Sequence, residues 1–170
     1  MNITTKIIIT DTNIITDLSN ANVLDKFVMF DNVYISDMVK NDEINTNTGN
    51  INIIKKFKII NVTSEQITEI FQISQVENKL SSYDIINYII ARDNNGILAT
   101  GDKKLKKFCE KNGIKVIRTL KIIKLMKKNI ISISEAIDAC TLLKENNCTR
   151  IPIESIDNFI EEFEKELLPS

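Results

Sequence analysis

The 170-residue sequence contains no histidine and no tryptophan, and it has only four glycines and two prolines. The absence of histidine excludes Ser-His-Asp and Cys-His catalysis, histidine-ligated zinc hydrolases and nucleases that use histidine as an acid or base. Any hydrolytic chemistry must therefore depend on carboxylates. Carboxylates together with water bind hard cations such as Mg²⁺ or Mn²⁺.

Cysteine and long apolar runs are also scarce. Cys109, Cys140 and Cys148 show no CxxC spacing, which predicts buried reduced thiols rather than disulfides or a zinc site. The apolar runs are far shorter than the roughly 18–20 residues that cross a bilayer. Residues 1–19 contain polar side chains where a secretory signal would be apolar, so we expect a cytoplasmic protein with no membrane partner.

Short apolar runs alternate with helical patterns over most of the chain, whose 43% hydrophobic content is typical of a globular protein. This alternation predicts an α/β fold with three layers, in which helices flank a parallel sheet of about five strands. The predicted strands are 6–10, 33–36, 59–62, 97–100 and 114–117. The predicted helices are 13–18 with a continuation toward 28, 38–44, 64–75, 80–91 and 105–112, with a polar loop at 45–50.

The rest of the chain has only helical patterns, at 120–128, 134–146 and 152–167, with Pro152 expected in the first turn of the last one. We predict an α/β domain over residues 1–128 and a C-terminal helical extension packed on it over 129–170. The last helix has an apolar stripe opposite a row of glutamates. Such a stripe must be covered, either by the protein's own core or by a second subunit. The stripe consists of Ile153, Ile156, Phe159, Ile160, Phe163 and Leu167.

Charge is distributed in three blocks along the chain. Residues 1–102 have a net charge of −5, residues 103–128 have +10, and residues 129–170 have −6. The central block is dense enough to bind phosphates, although a solvated helix face is an equal alternative. We call Lys103, Lys104, Lys106 and Lys107, at the start of this block, the lysine group and expect it to bind phosphate groups.

Four acids lie where a predicted strand ends or a helix begins: Asp11, Asp42, Asp84 and Asp102. Each has a structural alternative, because Asp is common at helix N-termini and Asp84 follows Ser81 at the spacing of a capping box. Successive parallel strands nevertheless deliver their carboxyl ends to one edge of a sheet, where separate carboxylates can converge on a metal ion.

The order and spacing of four segments resemble those of PIN-domain nucleases, most closely the VapC-like toxin ribonucleases and their longer prokaryotic relatives. These segments are IIITDTNIIT, VYISDMVKNDEI, LSSYDIINYIIA and ILATGDKKLKKFCEKNGIKVI. The later stretch from TLKIIKLMKK to NNCTRIP also resembles the helical continuation of longer members, so the resemblance covers most of the chain.

The resemblance implies an Mg²⁺- or Mn²⁺-dependent endoribonuclease that leaves 5′-phosphate and 3′-hydroxyl ends. Asp11, Asp84 and Asp102 match the family's first, third and last acids and would bind the metal, while Asn13 and Thr100 would support them. The resemblance also implies an RNA substrate, a cognate antitoxin and a homodimer. We expect the lysine group, Lys103, Lys104, Lys106 and Lys107, to bind the RNA.

The second acid departs from the family pattern, which usually has glutamate. Asp42 has the matching spacing and Glu43 has the matching residue type, and we assign the catalytic position to Asp42 with Glu43 in support. A shorter side chain here would loosen metal binding. This departure keeps a second hypothesis open, in which the protein is a weakly active or inactive PIN-fold module that binds RNA or a partner. A metal-dependent phosphatase and a flap-type DNA nuclease are further alternatives, and the missing D-x-D-x-T and glycine-rich phosphate motifs weaken the former.

Overall fold

A computed structural model describes residues 4–44, 51–146 and 149–168, without the side chains of residues 42–44, 51 and 52. The predicted loop at 45–50 and Cys148 lie outside this part of the chain. No helix within it is long and apolar enough to cross a membrane.

Five short strands in the described residues form one parallel sheet with the order β3-β2-β1-β4-β5, which confirms the predicted α/β class. Ile9 lies opposite Tyr34 on one side and Leu98 on the other, while Thr10 lies opposite Ala99. The chain therefore builds the sheet to one side of β1 with β2 and β3 and to the other side with β4 and β5. This change of side between β1 and β4, the reversal point of the sheet, opens a crevice at the carboxyl ends of these two strands. The strands are β1 (Ile8–Thr10), β2 (Val33–Ser36), β3 (Lys58–Ile60), β4 (Ile97–Ala99) and β5 (Lys115–Ile117).

Helices connect the strands and cover both faces of the sheet. Three of the described helices begin with a reciprocal capping box of Ser or Thr with Gln, Asp or Glu, and one of these is the Ser81–Asp84 pair considered from the sequence. The helices are α1 (Thr12–Asn20), α2 (Leu24–Phe27), α3 (Val39–Ile44, with π-type hydrogen bonding), α4 (Ile51–Ile54), α5 (Ser64–Val76), α6 (Ser82–Asp93), α7 (Lys103–Lys111), α8 (Thr119–Asn129), α9 (Ile133–Glu145) and α10 (Ile153–Leu167).

The core lies in two layers because successive strand residues point to opposite faces of the sheet. Ile8 belongs to the layer that also contains side chains of α1, α2, α8, α9 and α10. Ile9 belongs to the layer that contains side chains of α5, α6 and α7. Cys109 and Cys140 are buried free thiols, as predicted, and burial raises the pKa of each to about 12.

Three boundaries differ from the sequence prediction for local reasons. The helix expected from residue 13 toward 28 is divided into α1 and α2, because Asn22 adopts a left-handed φ of 55°. Strand β3 ends before Val62, whose N–H donates a hydrogen bond to Asp37 Oδ1 at 3.1 Å instead of continuing the sheet. Pro152 is the N-cap residue of α10 with an extended ψ of 133°, one position before the expected first turn.

Helix α10 packs along α9 and buries part of its apolar stripe. Ile156 and Phe163 are fully buried in the same core layer as Ile8. On its polar side, Glu162 pairs with Lys124 and Glu166 pairs with Lys127. The acidic last helix thus contacts the part of the basic block that lies in α8.

Candidate active site

The predicted first and last acids lie at the reversal point of the sheet, where β1 and β4 end side by side. Asp11 follows β1 directly, and its N–H donates to the carbonyl oxygen of Ala99 at 3.0 Å, so that the pairing with β4 continues one step past the strand. The Asp11 side chain is only 5% exposed. This position is the one at which open parallel sheets bind ligands.

One hydroxyl joins the two acids. Thr100 Oγ1 donates to Asp11 Oδ2 at 2.7 Å and accepts from the Asp102 N–H at 3.0 Å. Asn13 Nδ2 also donates to Asp11 Oδ2, at 3.2 Å. The two supporting residues named from the sequence, Thr100 and Asn13, therefore both contact the Asp11 carboxylate and fix its orientation.

Asp11 occupies the N-cap position of α1, yet its side chain makes no capping hydrogen bond. A cap would have accepted from an N–H in the first turn of the helix. The Asp11 carboxylate instead receives hydrogen bonds from side chains, including one from a residue 89 positions away in the sequence. Capping of α1 therefore does not explain why this position is an aspartate.

Asp102 and Asp84 do cap helices, and each uses one carboxylate oxygen for this purpose. Asp102 Oδ1 accepts from the N–H groups of Lys104 and Leu105 at 2.7 and 2.8 Å. Asp84 Oδ2 accepts from the N–H and the hydroxyl of Ser81, both at 2.8 Å. In both residues the second carboxylate oxygen makes no hydrogen bond to any described residue. Capping and metal binding are thus compatible in these two side chains.

The second acid is placed only by its backbone. Asp42 and Glu43 lie in α3, whose π-type hydrogen bonding is often found at functional sites, and their side chains lie outside the described part of the chain. Asp37, at the end of β2, is a further strand-end acid. Asp37 Oδ1 accepts from the N–H groups of Met38 and Val62 at 2.9 and 3.1 Å, so this carboxylate connects β2 to the end of β3.

The donor atoms at this edge suit a hard cation, because they are carboxylate and hydroxyl oxygens. Two buried polar side chains that have no hydrogen-bond partner among the described residues adjoin the predicted ligands in the sequence: Thr10 precedes Asp11, and Asn87 lies one turn beyond Asp84. Within the described residues, however, the structure forms no group of three or more acids or other ligating residues close enough to hold a metal ion. The carboxyl edge of the sheet therefore has donor atoms of the type that binds a hard cation. Among the described residues, the predicted site residues that contact one another across β1 and β4 are those of the Asp11–Thr100–Asp102 unit.

The basic block of the sequence is not one surface in the fold. Helix α7 buries Leu105 in one core layer and α8 buries Ile122 in the other, so the two helices lie on opposite faces of the sheet. In the lysine group at the start of α7, three side chains are exposed, and Lys106 is half-buried with its Nζ 3.8 Å from Glu110. The lysine group follows the Asp102 cap directly along the chain.

A cleft beside the acids contains charged residues that were not selected from the sequence. It has a volume of about 570 Å³, is lined by Asn13 and Gly101 on the side of the acids, and is also lined by Asp17, Arg118 and Arg150. The position of Arg118, directly after β5, could have identified it, since the strand-end rule that selected the acids applies equally to a cation.

Comparison with known proteins agrees with this architecture. No curated protein and no solved structure matches the chain. The family model described as PIN domain matches residues 7–165, which include every strand and every predicted site residue. Since the match spans nearly the whole sequence, the chain belongs to the PIN-domain family.

Proposed function

We propose that this protein is a metal-dependent endoribonuclease that hydrolyses RNA phosphodiester bonds at the carboxyl edge of its sheet. PIN domains have a nuclease-type fold, which gives the general class. The observation that best supports the finer assignment is the buried Asp11 carboxylate, which is held by Thr100 and Asn13 beside Asp102 rather than used as a helix cap.

The proposed roles follow from the available oxygen atoms. Asp11 and Asp102 are the principal metal ligands, Asp84 is a ligand or orients the attacking water, and Asp42 or Glu43 is an outer ligand or base. Mg²⁺ or Mn²⁺ bound here supplies a water of lowered pKa and neutralises negative charge that develops on the phosphate. The lysine group, which follows the Asp102 cap, holds the RNA backbone.

Cleavage of single-stranded RNA in the presence of Mn²⁺ tests the proposal. We expect Asp11→Asn and Asp102→Asn to abolish cleavage while the fold is retained. Asn has nearly the same shape as Asp at both positions, and at position 102 it also caps α7 about as well as Asp. Asp25→Asn is the matched control, since this half-exposed carboxylate in α2 makes the same charge change at an unrelated position. Cleavage at the wild-type rate by either edge variant would refute the assignment, and preference for DNA over RNA would favour a DNA nuclease.

A binding module is the second candidate function. It is favoured by the capping roles of Asp84 and Asp102 and by the lack of a three-residue ligand group among the described residues. The two functions differ in metal dependence, because a metal that binds only the folded protein stabilises it by RT ln(1 + c/Kd), where c is the concentration of free metal. A nuclease should unfold at a higher temperature in Mn²⁺ than in EDTA, and this shift should vanish in Asp11→Asn. A binding module should show no shift.

We also propose that the nuclease is the toxin of a toxin-antitoxin pair and that it forms a homodimer. A small DNA-binding protein encoded by the neighbouring reading frame should copurify with it and suppress RNA cleavage. Light scattering at several protein concentrations tests the dimer. A monomer at every concentration refutes the dimer.

A further inference from the structure

The cleft beside the acids, introduced above, lies between the carboxyl end of the sheet and the start of α10. Asn13 and Gly101 form the wall shared with the Asp11–Thr100–Asp102 unit, while Arg118 and Arg150 come from the segments that precede α8 and α10. Its volume of about 570 Å³ lies within the roughly 300–1,000 Å³ that is typical of small-molecule sites. A ligand in this cleft is therefore adjacent to the candidate active site.

Asp17 connects the two arginine-bearing segments. Its Oδ2 accepts from Thr119 Oγ1 at 2.6 Å, and the carboxylate also interacts with Arg118, Thr149 and Arg150. Burial is the main influence on Asp17 and raises the pKa of its carboxyl, while the hydrogen bonds and the arginines oppose this shift. Asp17 thus holds the segment before α8 and the segment before α10 beside each other.

The cleft keeps an excess of positive charge despite Asp17. Its lining contains four cations, two of them arginines, and two carboxylates, which gives a net charge of +2. Arg118 is half-buried, with a long contact of 3.5 Å from Nη2 to the carbonyl oxygen of Gly101, and Arg150 is exposed. A guanidinium presents a planar fork of donors that matches a phosphate group.

The cleft also has an apolar wall, formed by Ile151 and Pro152 directly before α10 and by Phe159 within it. A site that combines cations with an aromatic ring and aliphatic groups suits a ligand that has a phosphate and a flat base. RNA fits this description, and the cleft is continuous with the edge at which we propose that RNA is cut.

We propose that the cleft is a nucleotide subsite for a residue of the RNA that flanks the cleaved bond. Arg118 and Arg150 bind its phosphate, Asp17 positions the two arginines, and the apolar wall of α10 contacts its base. This inference rests on the proposed ribonuclease function, and it assigns α10 and the segment before it a direct part in substrate binding.

Binding measured without cleavage tests the subsite separately from catalysis. We would use the full chain with Asp11→Asn in EDTA and follow the fluorescence anisotropy of a labelled single-stranded RNA across salt concentrations. Adding Arg118→Gln and Arg150→Gln should raise Kd by about tenfold or more, since each removes a charge-assisted contact. The slope of log K against log salt should fall by about 0.7, because the two arginines together contact one phosphate.

Two variants guard against misfolding and general charge effects. Arg150→Gln alone changes an exposed side chain and should give part of the rise in Kd and part of the slope change. Lys165→Gln removes an equal charge from a side chain that is 75% exposed near the end of α10 and should leave Kd within twofold of the parent. An unchanged Kd in the double arginine variant overturns the subsite.

A second readout identifies the ligand. Chemical shifts of the Thr119 and Ile151 amides should move on addition of a nucleoside 5′-monophosphate, and they should move less with inorganic phosphate or with the nucleoside alone. A response to an acidic peptide without a response to the monophosphate would show a protein-binding site and overturn the proposal. Wild-type cleavage is measured in parallel. If the wild type cleaves RNA but the double arginine variant binds RNA as tightly as its parent, only the subsite is refuted. If the double arginine variant binds RNA more weakly than its parent but the wild type does not cleave RNA in Mn²⁺, only the nuclease function is refuted.

Discussion

Two buried threonines at neighbouring strand ends allow the Asp11–Thr100–Asp102 unit to be tested by opposite effects on stability. Thr10 ends β1 and Thr100 follows β4, and both are 0% exposed. Thr100 Oγ1 makes the two hydrogen bonds that join the acids, whereas Thr10 Oγ1 has no partner among the described residues. Replacing either threonine by the similarly shaped valine therefore removes a buried hydroxyl in two contrasting settings.

The expected magnitudes follow from the hydrogen bonds. In Thr100→Val, Asp11 Oδ2 loses its 2.7 Å bond and keeps Asn13, while the Asp102 N–H loses its acceptor. A bond to a charged group contributes about 1.5–3 kcal/mol and a neutral one about 0.5–1.5, so we expect a loss of about 2–4 kcal/mol. Thr10→Val removes a group that is buried without a partner and should be neutral or stabilising by about 0–2 kcal/mol.

Urea denaturation followed by circular dichroism measures both effects as free energies of unfolding, provided that the m-values agree. A Mn²⁺ titration of the folded proteins adds a functional readout. Loss of a group that orients a ligand typically weakens metal affinity about 10–100-fold, and we expect this loss for Thr100→Val alone. The reasoning is refuted if Thr100→Val unfolds within about 0.5 kcal/mol of the wild type, or if Thr10→Val is the less stable of the two variants.

Three further predictions concern charge and packing. Replacing all four members of the lysine group by Gln should weaken RNA binding. The slope of log K against log salt should also fall by up to about 0.7 for each lost phosphate contact. An unchanged slope would show that the lysine group is only a solvated face of α7. In urea denaturation, Phe163→Ala should lower the free energy of unfolding by about 3–5 kcal/mol, because the Phe163 side chain is fully buried. The control Phe71→Ala, at a side chain that is 68% exposed, should change it by no more than about 0.5 kcal/mol. Equal losses in the two variants would contradict the packing of α10. The pKa of Asp17 in the folded protein is raised above its usual 3.8, mainly by burial, so the folded state binds this proton more tightly than the unfolded state. The free energy of unfolding of the wild type should therefore rise relative to that of Asp17→Asn as pH falls through the raised pKa toward 3.8. If urea denaturation gives the same difference between the two proteins at every pH, the burial of the carboxylate is contradicted.

The sequence was sufficient for the sheet and for most helices because their signals are local. Isoleucine-rich strands, a Ser81–Asp84 capping box and a glycine at the end of α7 each act over a few residues. The glycine, Gly113, has a φ of 75°, a conformation that favours glycine after a helix. The helix break at Asn22 was missed because an asparagine in a polar stretch does not by itself require a left-handed conformation.

The candidate site was only partly predictable because its decisive contacts are long-range. Whether Asp11 caps a helix or binds a ligand depends on Thr100, which is 89 positions away. The basic block is continuous in the sequence, but the intervening strand β5 places α7 and α8 on opposite faces of the sheet. Arg150 had no local signal at all, since only the packing of α10 brings it to the cleft.

The position of α10 has a consequence for the charge of the whole molecule. Residues 152–170 carry six acids and one lysine, a net charge of −5, so the remaining residues together carry +4. Through Glu162 and Glu166, α10 acts as a built-in counter-ion for α8 and gives the chain its overall anionic sign of −1. A weakly anionic protein has no net electrostatic attraction to polyanions. A nucleic acid can therefore bind only through the local cations on α7 and in the cleft. Shortening the chain before α10 would reverse this sign and produce a cation that adheres to nucleic acids without discrimination.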